Sequence, residues 1–368
     1  MDGMEMLEPN LTPLQEAALE RIYYFENMLA VHGFRVRMGF EQEFLLTHGE
    51  HETPPTNGVL KPTSNETVTG KNNSYWSLVA QLWEEFPNLY EINSESAGAP
   101  VEKGWSSLGI YEAKFDTDQI GLSVAPLSVA DLATMVWKFR NHGLDTIKEA
   151  AKKEGGILQD RQSADDLAIS FNPVPFPHHH YYRNQALGMH IGMSVYKDDN
   201  NVLMNDEAIT SRITNSLLTL QKAITPAFIQ TPEALRRISV TSASPKQVSM
   251  GRTEFAKADG HSVLLRKERE LGSDAQLYTS YSYIEDRLPA ANADPFVIAA
   301  LELGAACYAL CTEHEVVAPR NVRLPNNKDW ARLRMNPSAE SLLGDKLYRE
   351  IEASYPKALP DPDLSPIR

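Results

Sequence analysis

Four short stretches of this sequence set carboxylate or imidazole groups among apolar residues at a spacing of two. In RVRMGFEQEFLL (35–46), Val36, Met38, Phe40, Gln42, Phe44 and Leu46 alternate with Arg35, Arg37, Gly39, Glu41, Glu43 and Leu45. A β-strand repeats every two residues, so Glu41 and Glu43 leave the same side, about 7 Å apart at their bases. In SLGIYEAKFD (107–116), Glu112, Lys114 and Asp116 share a face. In GMHIGMSVY (188–196), His190 and Ser194 share a face with Gly188 and Gly192, and in YSYIEDRLP (281–289) Tyr281, Tyr283, Glu285 and Arg287 share one. Each stretch alone is compatible with a strand whose polar side meets solvent. Together they assemble an inventory. Like charges this close raise each other's pKa unless a cation lies beside them. Carboxylate oxygens with one imidazole suit Mg²⁺ or Mn²⁺ rather than a structural zinc. Added arginines complete the set used in metal-held triphosphate chemistry, and the glycines leave room for a ligand to lie on the sheet.

The elements that must position these groups are legible in outline. Thr12 and Gln15 form a capping-box pattern, Pro13 suits the first turn and Gly33 ends a helix over 12–32. The Glu41–Glu43 strand follows. Residues 48–75 read as a long polar loop, 76–87 as a short helix, 92–106 as loop and 107–116 as a strand. Ser128 and Asp131 cap a helix to about Lys153, and a short strand covers 167–173. A strand at 188–196, a turn at 198–201, a helix over 206–222 and strands at 263–270 and 279–288 come next. Asp294-Pro295 starts an apolar helix to 312, and one amphipathic helix is expected near 338–353. The long connections favour antiparallel pairing with helices on one side over a doubly wound sheet.

Composition narrows the function. The chain of 368 residues is long enough for one large domain or two tightly packed ones. A net charge of -14 disfavours nucleic acid or an anionic membrane as the main partner, though not ATP. The two cysteines, Cys307 and Cys311, lie four apart in an apolar run and read as buried inert thiols. No signal core or membrane-length apolar run is present, so a cytoplasmic location is expected.

YIEDRLPAANADPFVIAALELGAA (283–306) resembles the hallmark segment of glutamine synthetases, where a metal-binding Glu and a substrate-binding Arg precede a Pro/Ala/Asn-rich turn and a long apolar helix. GMHIGMS resembles that family's G-x-H-x-H-x-S strand, and FEQEF its E-x-E strand, in the same order along the chain from about residue 35 to 312. The resemblance implies an α+β fold, a curled, largely antiparallel sheet with helices packed on its outer side. It divides the chain into an N-terminal helix (1–33), a catalytic domain (34–320) and a C-terminal extension (321–368) that carries one helix and belongs to the same domain. It implies ATP and two or more Mg²⁺ or Mn²⁺ ions. Glu43, Glu112 and Glu102, with Glu95 as the alternative to Glu102, would hold one ion; Glu41, His190 and Glu285 would hold a second, nearer the ATP phosphates. Ser194 falls at the family's nucleotide contact. Arg237 falls where an Arg grips the substrate's α-carboxylate, Arg266 where one meets the phosphates, and Arg287 beside the transferred phosphoryl group. The activity implied is an ATP-dependent carboxylate–amine ligase working through an acyl phosphate on small-molecule acid and amine substrates.

The sequence departs from the family's pattern at defined points. Gly192 replaces the second His, and His261 replaces the Arg of an N-R-S triplet at the phosphates. Val174 replaces a common Lys, Gln185-Ala186 replaces an Asn-Gly pair, and SVTSASPKQ lacks the Glu that guards the intermediate. One helix precedes the E-x-E strand, where the family carries a small β domain that completes a neighbour's site. These changes argue against the family's ring assembly and against ammonium as nucleophile, leaving a homo-oligomer open. They favour a γ-glutamyl or related amide made with another amine, whose pocket His178-His179-His180 and Tyr181-Tyr182 would line. Two other readings stay open, a non-catalytic nucleotide- or metabolite-binding relative and a guanidino-type phosphotransferase.

Overall fold

The computed structural model describes residues 10–48, 82, 85–86, 89–93, 110–116, 128–153, 163–176, 186–198, 200–228, 231, 233–234, 236–237, 263–271, 278–312 and 339–354. Of the expected loop at 48–75 all but His48, most of the helix at 76–87 and the segment 177–185 lie outside them.

The alternating stretches form the strands β1 (Phe34–His48), β3 (Ile110–Asp116), β5 (Met189–Lys197) and β8 (Tyr278–Asp286). They join β2 (Leu89–Asn93), β4 (Leu167–Ser170), β6 (Asn200–Asn201) and β7 (Val263–Leu271) in one sheet. Its order is β2-β3-β1-β5-β8-β7, with β4 on β1 and β6 on β5, and every pairing is antiparallel. β1, of 15 residues, is paired along both edges. One edge pairs with β3, while the other pairs first with β5 and then with β4. β2 is additional to the expected elements and reaches into the stretch expected as loop from 92.

Helices cover one face. They are α1 (Pro13–Val31), α2 (Val129–Lys153), α3 (Val202–Asn205), α4 (Glu207–Phe228), α5 (Pro295–Cys311), α6 (Ala339–Leu343) and α7 (Asp345–Ser354). α1 begins at the expected Thr12–Gln15 capping box and ends at Gly33, whose φ of 79° an L side chain rarely adopts. The Ser128 and Asp131 side chains bond each other at the start of α2. α4 continues past its expected end at 222. The single C-terminal helix is corrected to two, α6 and α7, because Gly344 between them takes φ 77°.

α5 is apolar all round and is buried along most of its length, against α1, α2 and α4. The core fills the space between these helices and the apolar side of the strands. Met38, Phe40, Phe44 and Leu46 of β1, Phe115 of β3, and Met189, Ile191 and Met193 of β5 lie in it. Burying a side chain such as Phe40 contributes about 1.5–3 kcal/mol. The same burial fixes the strand registers, because a slip by one residue would turn this face outward. Cys307 is buried in that core and its thiol is pushed up to about 12, chiefly by burial, as an inert thiol should be. Among the described residues no helix is long and apolar enough to cross a membrane.

Candidate metal centre

The strand order brings the chemically marked positions together. Glu41 stands opposite His190 across β1 and β5, Glu43 opposite Glu112 across β1 and β3, and Gly192 opposite Glu285 across β5 and β8. Residues directly opposite in an antiparallel pair project to the same side. That side lies opposite the apolar face through which β1, β3 and β5 join the core. Two ligand groups result, Glu41 with His190 and Glu285, and Glu43 with Glu112 and His190. In each, one ligand atom per residue lies within 4.8 Å of the others.

Burial makes the cluster electrostatically demanding. Glu43, Glu112, His190 and Glu285 are all buried, and Glu41 is partly exposed. His190 Nδ1 lies 3.4 Å from Glu41 Oε2 and 3.7 Å from Glu285 Oε1. Burial first, and the nearby Arg287 cation second, hold its imidazole down to about 3 despite Glu41. The ring is therefore neutral near pH 7, and its contacts with the two glutamates are not ion pairs. A neutral ring with carboxylates is the donor set that Mg²⁺ or Mn²⁺ accepts. Buried carboxylates need cations beside them to stay ionised, and Lys114 next to Glu112 and Glu41 and Arg287 next to Glu285 supply part of that charge. The donor types and their convergence fit a divalent ion as well.

Backbone and neighbouring side chains hold the donors in place. The Gly188 amide donates to Glu43 Oε2, and the Glu43 amide donates to the Gly188 carbonyl at 3.0 Å. A Cβ on Gly188 would come within 2.6 Å of Arg237 Nη2 and 2.8 Å of His190 Nε2, so a larger residue there would have to displace both side chains. A Cβ on Gly192 would meet the ring of Tyr283 at 3.2 Å. The ring occupies the space beside the position where the family's pattern has a second imidazole. Below the sheet, Gln42 is fully buried and receives a 2.7 Å bond from Arg140 Nε of α2. Arg140 also donates to the carbonyls of Ala291 and Ala293, and the Gln42 amide donates to Ala291 at 3.0 Å. This polar seam ties β1, between its two glutamates, to the turn that follows β8.

The expected arginines are placed differently from one another. Arg287 Nε lies 3.6 Å from Glu285 Oε1, partly exposed. Arg237 is buried, and donates to the Leu288 and Arg287 carbonyls at 3.0 Å each. Burial pushes its guanidinium down to about 10, so it stays charged near pH 7. Ser194 stands in β5 opposite Arg37, away from the ligand groups along the strand. Arg266 pairs with Tyr283 through the backbone, and its side chain lies outside the described part. Glu102, Glu95, His261, the 178–182 segment and SVTSASPKQ also lie outside the described residues.

Sequence reasoning gave no part to Arg140, to the Tyr283 ring over Gly192, or to Glu302, a buried acid of α5 that faces Asp286. The signals were present. Gln42 interrupts an apolar face, and Glu302 sits in an otherwise apolar helix.

No protein-family model and no curated protein matches this sequence. Solved structures do match its fold. A novel glutamine synthase homologue matches with a TM-score of 0.59 at 15% identity, covering 92% of this chain and 68% of that one. GmaS without ligand matches at 0.53 and 14% identity, covering 92% of this chain and 71% of the other. A GmaS/ADP complex matches at 0.52 and 13%, covering 92% and 72%. The fold expected from the motifs is the fold found.

Proposed function

We propose that this chain is an ATP-dependent carboxylate–amine ligase that forms an amide through an acyl phosphate, with an amine other than ammonia. The observation that supports this most is the convergence of Glu41, His190 and Glu285. They lie far apart in sequence, on three strands of a sheet with this fold, yet their ligand atoms lie within 4.8 Å of one another. In support, one of the fold matches is a complex with ADP, and GmaS is a gamma-glutamylmethylamide synthetase.

On this reading Glu41, His190 and Glu285 would hold one Mg²⁺ or Mn²⁺, and Glu43, Glu112 and Glu102 another. Bound there, such ions offset triphosphate charge and polarise the γ-phosphoryl group. Arg287, beside Glu285, presents a fixed cation to the transferred phosphoryl group. Arg237 grips the substrate's α-carboxylate, in a direction set by its bonds to the Arg287 and Leu288 carbonyls. Ser194, Arg266 and His261 contact the nucleotide. The substrate carboxylate attacks the γ-phosphorus and ADP leaves. The acyl phosphate hydrolyses in water, so the site must exclude water until the amine attacks the acyl carbon and phosphate departs. The partners are then small molecules, an acid and an amine, which the chain's net charge of -14 does not oppose.

The test is ADP release with Mg²⁺ or Mn²⁺ across a matrix of acids and amines, with Glu285→Ala as the control. Amine-stimulated release that Glu285→Ala abolishes is expected. A phosphorylated product stable without amine would replace the ligase by a phosphotransferase. Nucleotide binding without turnover on any pair would replace it by a binding protein.

A further inference from the structure

The site face carries a lysine between two of its glutamates. Lys114 stands opposite Glu41 across β1 and β3, and lies two residues from Glu112 on the same strand. Its Nζ is 3.0 Å from Glu112 Oε1 and 3.5 Å from Glu41 Oε1. One ammonium therefore touches both ligand groups, and touches the buried Glu112 more closely. A charge-assisted contact at this distance, to a carboxylate only 1% exposed, neutralises charge where burial makes it costly. That is the electrostatic task of a divalent ion. A divalent ion on the same carboxylate needs an oxygen at about 2.0–2.6 Å, so the ion and the ammonium compete for Glu112. The two groups are unequal in this respect. Lys114 lies closer to Glu112, which is 1% exposed, than to Glu41, which is 19% exposed, and the one nitrogen lone pair of the neutral His190 ring can serve only one of the two groups.

We propose that Lys114 is a built-in counter-cation that stands in for one divalent ion. The chain then holds one ion tightly at Glu41–His190–Glu285. It admits a second on Glu43 and Glu112 only when Lys114 is displaced, since the neutral His190 ring has one nitrogen lone pair and gives it to the first ion. The exchange is of ions alone, with no covalent step. This inference rests on the metal reading proposed above and narrows it from two resident ions to one.

The test is a Mn²⁺ titration of the whole chain followed by electron paramagnetic resonance of the free ion, a readout independent of turnover. Four proteins are compared, wild type, Lys114→Gln, Glu112→Gln and Glu285→Gln. Wild type is expected to bind one Mn²⁺ tightly. Lys114→Gln is expected to bind two, the second at least about tenfold tighter than any second ion of wild type. Glu112→Gln should keep the single tight ion, and Glu285→Gln should lose it. Two ions of similar affinity in wild type would overturn the inference, as would no added ion in folded Lys114→Gln, or a lost tight ion in Glu112→Gln. Should Lys114→Gln fail to fold, the Glu112→Gln result decides alone. Folded wild type and Lys114→Gln that bind no Mn²⁺ would remove the metal reading itself, a result distinct from two proteins that bind it equally.

Discussion

Replacing Arg140 by Met tests whether the seam beneath the sheet holds the two strand-borne glutamates where they are. Arg140 donates to Gln42 Oε1 at 2.7 Å and to the carbonyls of Ala291 and Ala293. Ala291 retains a second donor, the Gln42 amide, at 3.0 Å. Methionine would therefore strand two acceptors, the Gln42 carbonyl oxygen and that of Ala293. Each stranded buried acceptor costs about 1–3 kcal/mol, so the gross loss is about 2–6 kcal/mol. Burying the guanidinium is itself costly, as its fall to about 10 through burial shows, and its removal returns part of that loss. The expected net destabilisation is about 2–4 kcal/mol, against a total of about 5–15 kcal/mol for a typical fold. Arg140→Lys keeps the charge but not the planar fork that spans three acceptors, and should fall between. The assay is urea unfolding of the whole chain followed by tryptophan fluorescence. The order expected is wild type, then Arg140→Lys, then Arg140→Met. Arg140→Met within about 0.5 kcal/mol of wild type would refute the bookkeeping, since surface-like substitutions fall in that range.

Three further outcomes follow from the geometry. Gly188→Ala should destabilise by about 1–3 kcal/mol and weaken Mn²⁺ binding by calorimetry, because its Cβ meets Arg237 Nη2 and His190 Nε2, groups held by buried contacts; Gly192→Ala, facing the Tyr283 ring at 3.2 Å, should cost less. Glu302 is raised well above its ordinary 4.5, by burial first and by Asp286 second, and two carboxyl groups can bond each other only while one keeps its proton. The folded chain thus holds a proton that the unfolded chain gives up, so this contribution is fully present below about pH 4.5 and is lost as pH rises toward the folded-state value. Glu302→Gln, whose amide donates to Asp286 at any pH, should remove that decline in urea midpoints measured from pH 5 to 8. His190→Ala and Glu285→Ala should abolish acid- and amine-dependent ADP release while circular dichroism shows both folded; turnover retained by either would remove that residue from the machinery.

The glutamates and the imidazole were legible because a strand obeys a period of two, and because burial of the alternate face forbids a slip. The capping box at Thr12 and the Asp294 cap were legible for a similar reason, being local and set by side chains three residues apart or fewer. What was hidden depends on partners distant in sequence. Lys114 was placed on the correct face, but its contact with Glu41 is a product of the β1–β3 register, which no single strand states. Gln42 read as an imperfection in an apolar face until α2 brought Arg140 beneath it. Arg237 carried a substrate role by resemblance, whereas its bonds to the Arg287 and Leu288 carbonyls come from a segment some fifty positions on. The break at Gly344 was missed because Leu343 and Leu347 keep a helical spacing across it.

The most direct measurement is a crystal structure of the chain soaked with Mn²⁺ and a non-hydrolysable ATP analogue, with anomalous data at the manganese edge. An anomalous peak within about 2.0–2.4 Å of Glu41, His190 and Glu285, with triphosphate oxygens beside it, is the expected result. A nucleotide bound elsewhere, or these three side chains with no peak between them at saturating Mn²⁺, would contradict the account.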